Sequence, residues 1–119
     1  MKASRSLSLK GSVQDCLRLE AEAGRLVEQL KGLGVVKIIL IGSLARGRIS
    51  LFSDIDMVAV FDDQRSCREL TRWVYQNLNS REAVDVLAYN RRQFETARQR
   101  SFIRSALQEG KVLYERAQV

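Results

Sequence analysis

Asp54 and Asp56 stand two residues apart at the head of an apolar run: Ile55, Met57, Val58, Ala59, Val60. In an extended chain, alternation turns both carboxylates to the same side. Neighbouring carboxylates repel, and both stay charged only with a cation between them. Hard oxygen ligands on a rigid strand suit Mg²⁺, which takes one or two carboxylates, keeps waters and accepts substrate phosphates. A bare Asp-x-Asp is more often a solvated strand end, so the pair needs company. Asp85 provides it, central in Ala83-Val84-Asp85-Val86-Leu87-Ala88. A carboxylate inside a buried strand costs on the order of several kcal/mol unless it is paired or metal-bound. Set beside the first strand, Asp85 completes a three-carboxylate cluster. Such a cluster can hold two divalent ions that clamp the attacking and leaving oxygens of a phosphoryl transfer. Asp85 would also accept the proton of an attacking hydroxyl. Glu82 is the competing carboxylate, but it reads as exposed at the strand edge.

Ahead of these lies Gly42-Ser43-Leu44-Ala45-Arg46-Gly47, directly after the apolar stretch Val35–Ile41. A glycine there lets backbone approach a ligand closely. Ser43 as N-cap would open a short helix, and a helix N-terminus is an anion site. Gly42 and Ser43 could thus cradle the outer phosphates of an NTP, and Arg46 could grip phosphate with its planar fork. Taken singly, each is an ordinary turn or a solvated arginine.

The elements that must position these residues follow from hydrophobic spacing. Val13, Cys16, Leu17, Ala23, Leu26, Val27, Leu30 and Leu33 recur at helical intervals, with Ser12 as cap and Gly32 or Gly34 as stop. Val35–Ile41, Asp54–Phe61 and Ala83–Tyr89 are strand-sized and apolar. Residues 65–78 and 91–108 repeat the helical spacing, the latter breaking near Arg100, and Val112–Tyr114 forms a short edge strand. The order predicts an α/β (α+β) domain, a small mixed sheet flanked by helices. Residues 1–10 read as a tail and residues 11–119 as one domain.

Composition removes whole classes of chemistry. The 119 residues include no histidine, so catalysis rests on carboxylates, Lys/Arg, hydroxyls or metal. Cys16 and Cys67 have no metal-ligand spacing and read as buried thiols. No apolar run reaches the roughly 20 residues of a membrane span and no secretory signal is evident, which predicts a cytoplasmic protein. A net charge of +6 favours polyanionic partners. The basic stretch Arg91–Arg104 is balanced between a solvated face and a functional patch. Trp73, Tyr75, Tyr89 and Tyr114 read as core or contact residues, though Tyr89 shares a face with Asp85 and could border a nucleotide.

Gly-Ser-x-Ala-Arg-Gly, ten residues between Ser43 and Asp54, then Ser-Asp-Ile-Asp, resembles the minimal nucleotidyltransferases of the DNA polymerase β superfamily. The resemblance spans roughly residues 35 to 114. It implies a polymerase-β-like fold and Mg²⁺-dependent transfer from an NTP such as ATP. It also implies Gly42 and Ser43 on the triphosphate, and Asp54, Asp56 and Asp85 as the metal-binding carboxylates. Many relatives act as antitoxins to small helical HEPN proteins, some by adenylylating a tyrosine. Without an added acceptor domain, a protein acceptor fits the implied activity better than a small molecule. The alternatives are a binding-only antitoxin, a small-molecule transferase with its acceptor site at a homodimer interface, and a basic nucleic-acid binder, for which no readout motif is evident.

Overall fold

The computed structural model describes residues 13–47 and 54–117. The tail assigned to residues 1–10, the cap assigned to Ser12 and the motif's Ser53 lie outside them. Among the described residues the order is α1 (Val13–Gly32), β1 (Val35–Ile41), α2 (Gly42–Arg46), β2 (Ile55–Phe61), α3 (Cys67–Asn77), β3 (Val84–Asn90), α4 (Arg91–Ala97), α5 (Ser101–Gln108) and β4 (Lys111–Glu115). The strands form one mixed sheet in the order β3-β2-β1-β4. β1 runs antiparallel to both β2 and β4, while β2 and β3 are parallel. The predicted α+β architecture is therefore the observed one.

Both faces of the sheet are covered, which is why the central strands read as continuous apolar runs rather than alternating ones. On one face Leu19, Leu26 and Leu30 of α1 and Leu70 and Val74 of α3 pack on Ile38, Leu40, Ile55, Met57, Ala59 and Val86. Each fully buried Leu of this set contributes roughly 1.5–3 kcal/mol. On the other face Val36, Ile39, Ile41, Val58, Val60 and Phe94 form a smaller core under α4 and α5.

The helical stripe on α1 differs from the expected one. Leu19 and Glu22 turn inward, while Val13 and Leu17 are exposed. α3 begins with a capping box: Ser66 accepts from the Glu69 backbone N–H, and the Glu69 side chain accepts from that of Ser66. The predicted break near Arg100 is real, with α4 ending at Ala97 and α5 starting at Ser101. No described helix is long and apolar enough to cross a membrane. The cysteines are free thiols but only half-buried, not buried as expected. Cys67 sits at the start of α3, where its thiol lies 2.9 Å from Gln93 Oε1.

Candidate active site

β1 delivers Gly42 at its C-terminal end, and β2 begins beside it because the two strands are antiparallel, with Ile41 opposite Asp56. Gly42 has φ +76°, a left-handed conformation that only glycine adopts at little cost. The carboxylate of Asp56 occupies the space that a Cβ on Gly42 would need. This glycine therefore admits a protein carboxylate, not only a ligand, to the turn. Ser43 lies inside the first turn of α2; the cap residue is Ile41, which makes no side-chain capping bond. The expected Ser43 cap is thus absent. α2 has only five residues, so phosphate held here would meet individual backbone N–H groups rather than a developed helix dipole.

β3 lies parallel to β2 with Asp56 and Asp85 at the same level. Paired strands sit about 4.8 Å apart and matched residues share a face. The two carboxylates are therefore neighbours on the side of the smaller core. Asp54 precedes β2 rather than belonging to it, and it is exposed at the lip of the sheet. Its charge still reaches Asp56. Burial first, then the charges of Asp85 and Asp54, push the Asp56 carboxyl above its ordinary range, and Arg46 pulls it back. The three predicted carboxylates thus form one electrostatic group.

The route to Asp85 needs correction. It does not lie in a buried strand: β3 is an edge strand and Asp85 is exposed. The burial cost invoked from the sequence does not operate. What brings Asp85 to the site is the register with β2. Glu82, expected to be exposed, is half-buried, and Arg18 pairs with it at 3.2 Å. Tyr89 shares the face of Asp85 as expected, but it lies about 13 Å farther along the strand and stacks at 6.0 Å on Phe94 within the small core. Arg46 reaches Glu109 at 3.4 Å, tying α2 to the turn after α5. The five arginines of the 91–104 stretch are all exposed, as either reading of that stretch requires.

Among the described residues no three acidic or thiol side chains already stand close enough to share an ion. Burial and the charges of its bare neighbours together raise the Asp56 carboxyl. The donor set is all hard oxygen, on two adjacent strands and their lip, and it fits a hard divalent cation better than a soft one.

A family model described as "Polymerase beta, Nucleotidyltransferase" matches residues 25–119. The chain belongs to the polymerase β nucleotidyltransferase family. Within that superfamily it is a minimal nucleotidyltransferase, and the matched segment contains every site residue named above. A crystal structure from Sulfolobus solfataricus, provisionally named as a nucleotidyltransferase, superposes with a TM-score of 0.66. Identity is 18%, over 90% of this chain and 91% of that one, a likeness that shows the shared fold. No curated protein matches the chain significantly.

Sequence reading missed several residues that shape the site. Tyr75 on α3 accepts from the Val86 N–H at 2.7 Å on the outer edge of β3. Glu22 on α1 binds the loop leading into β3. Glu22 had a legible signal: it lies three residues after Leu19 and four before Leu26, on the inward stripe. For Tyr75 no sequence signal exists, because its partner is a strand edge set by topology.

Proposed function

We propose that this nucleotidyltransferase moves a nucleoside monophosphate, AMP from ATP, onto a hydroxyl of a partner protein. The observation that supports this most is the matched register of Asp56 and Asp85, beside a Gly42 whose missing Cβ makes room for Asp56. Gly42 and Ser43 hold the triphosphate through backbone N–H groups and the serine hydroxyl. Arg46 adds a charged fork to the phosphates. Asp54, Asp56 and Asp85 would hold Mg²⁺, two ions in this reading, which would neutralise phosphate charge and polarise the phosphoryl oxygens. The acceptor hydroxyl attacks the α-phosphorus, the bond to the β-phosphate oxygen breaks, and pyrophosphate leaves. Asp85, exposed where Asp56 is half-buried, takes the hydroxyl proton. Asp85 is exposed on an edge strand, which suits an acceptor that brings its own docking surface. That favours a protein acceptor, and the partner we propose is a small helical HEPN-type toxin, for which this chain would be the cytoplasmic antitoxin.

The test is transfer of label from each α-labelled NTP, with Mg²⁺ and a lysate of the source organism, using Asp54→Asn as control. Label on one discrete protein, absent with the variant, supports the proposal and identifies the acceptor. Label on a small molecule would replace the protein acceptor. If no NTP labels anything while a helical partner is still captured, the role is binding rather than transfer.

A further inference from the structure

Glu22 is the buried charged residue among those described, with 5% of its surface exposed. It lies in the middle of α1, far along the chain from the motif residues. Its carboxylate receives two bonds from Arg25, at 2.9 and 3.0 Å. It also accepts the backbone N–H of Arg81 at 2.5 Å, and the Ser80 hydroxyl lies 3.3 Å away. Arg25 reaches on to the Asn79 carbonyl at 2.8 Å. One helical turn and more farther along, Gln29 donates to that carbonyl at 2.9 Å and accepts the Asn79 N–H at 2.8 Å. α1 thus grips residues 79–81 at two points. The Arg25 partner and the loop N–H hold the Glu22 carboxyl far below its ordinary range, at about 2.

Those residues are the entry to β3. Two residues past Arg81, the Ala83 carbonyl accepts the N–H of Ile55 at 2.9 Å, the residue between Asp54 and Asp56. β3 has a strand on one side only, with Tyr75 bonded to the Val86 N–H on its outer edge, and Asp85 itself is exposed, so the level at which Asp85 meets Asp56 depends on how β3 enters the sheet as well as on that edge bond. A slip of one residue along β2 would turn Asp85 to the opposite face. A buried charge is a costly way to hold a loop unless its bonds are needed at a defined level.

We propose that Glu22 is a positioning residue for Asp85: by clamping the loop at Arg81 it sets the register in which β3 meets β2. The consequence for catalysis rests on the nucleotidyl transfer proposed above, whereas the register itself does not. Glu22→Gln removes the charge but keeps the side chain's size. At a temperature where the variant is folded, kcat should fall about tenfold to hundredfold, the range expected for a reacting group misplaced by about 1 Å. KM for the NTP should stay within about twofold, since Gly42 and Ser43 lie outside the clamp. In an Asp85→Asn background the same substitution should cost nothing further, because the residue it positions is already disabled. Amide exchange supplies a readout independent of activity. Exchange should quicken at Arg81 and Ile55 while Ile39 and Val58 at the sheet centre stay as slow as in the wild type. If Glu22→Gln does not fold, Gln29→Ala loosens the second grip on the same loop and should shift the same amides by less.

Additive losses in the double variant, or uniformly faster exchange across the sheet, would overturn the proposal, because a merely structural clasp gives those results. So would faster exchange at Arg81 with Ile55 unchanged. A wild-type protein that transfers nothing would sink the proposed function, and the exchange measurement would still decide the register.

Discussion

Gly42→Ala separates two consequences that usually arrive together. Gly42 has φ +76°, and placing an L-residue there costs roughly 1–2 kcal/mol. For a domain of this size that lowers Tm by roughly 4–10 °C. The new Cβ would also overlap Asp56 Oδ2 and lie 3.2 Å from its Cγ and 3.3 Å from its Cβ. The side chain can swing aside, so the clash adds little to the unfolding cost. It does displace a carboxylate at the centre of the site, and a shift of about 1 Å there costs on the order of a hundredfold in rate. Gly34→Ala is the matched control: its φ is +94° and nothing lies within 4 Å of the added Cβ. Calorimetry on both variants should give similar falls in Tm. Transfer from α-labelled NTP should drop about a hundredfold in Gly42→Ala and stay near wild type in Gly34→Ala. Equal activity in the two variants would refute the reasoning, because it would mean the contact between Gly42 and Asp56 has no part in the chemistry.

Asp56→Asn should abolish transfer and raise Tm slightly, by up to about 1 kcal/mol of stability. The wild-type carboxyl is pushed up by burial and by Asp85 and Asp54, so at neutral pH its charge opposes folding; thermal melts at pH 7 check this. Glu22 titrates in the opposite sense. Its folded pKa of about 2 lies below the ordinary 4.5 of a free glutamate, so its stabilisation is complete above about pH 4.5 and is lost as pH falls toward 2. Melting temperatures through that window should therefore fall more steeply in the wild type than in Glu22→Gln. Asp63, held at about 2 by Arg65, contributes the same trend to both proteins and cancels in the comparison. Tyr75→Phe removes the acceptor for Val86 N–H, and a lost bond of this kind costs about 1 kcal/mol. Urea unfolding should show that loss, with quicker amide exchange at Val86.

Much of this molecule was legible in its residues because the relevant signals are local. Val35–Ile41 declares a strand by its composition, whereas the helix over residues 65–78 is read from hydrophobic spacing, without the Ser66-Cys67-Arg68-Glu69 capping pattern that opens α3. Gly42 and the Asp54/Asp56 pair could be named as candidates from residue type and from the combination of the two motifs, although Asp54 lies just before β2 rather than in its alternating run. Other features depend on which segments meet. Asp85 was selected for a burial it does not have; it belongs with Asp56 because β2 and β3 run parallel in one register. The sequence also could not indicate that the space left by Gly42 is filled by Asp56, or that Glu22 bonds the loop before β3 and Tyr75 the outer edge of the strand. Strand order and register are long-range choices, decided by how two apolar faces pack against α1, α3, α4 and α5. The sequence by itself determined the elements and the chemical character of the site, because both are written in short-range periodicity and residue type. Only the tertiary structure decided how the carboxylates are assembled, because that depends on contacts between residues far apart in the chain, such as the matched level of Asp56 and Asp85.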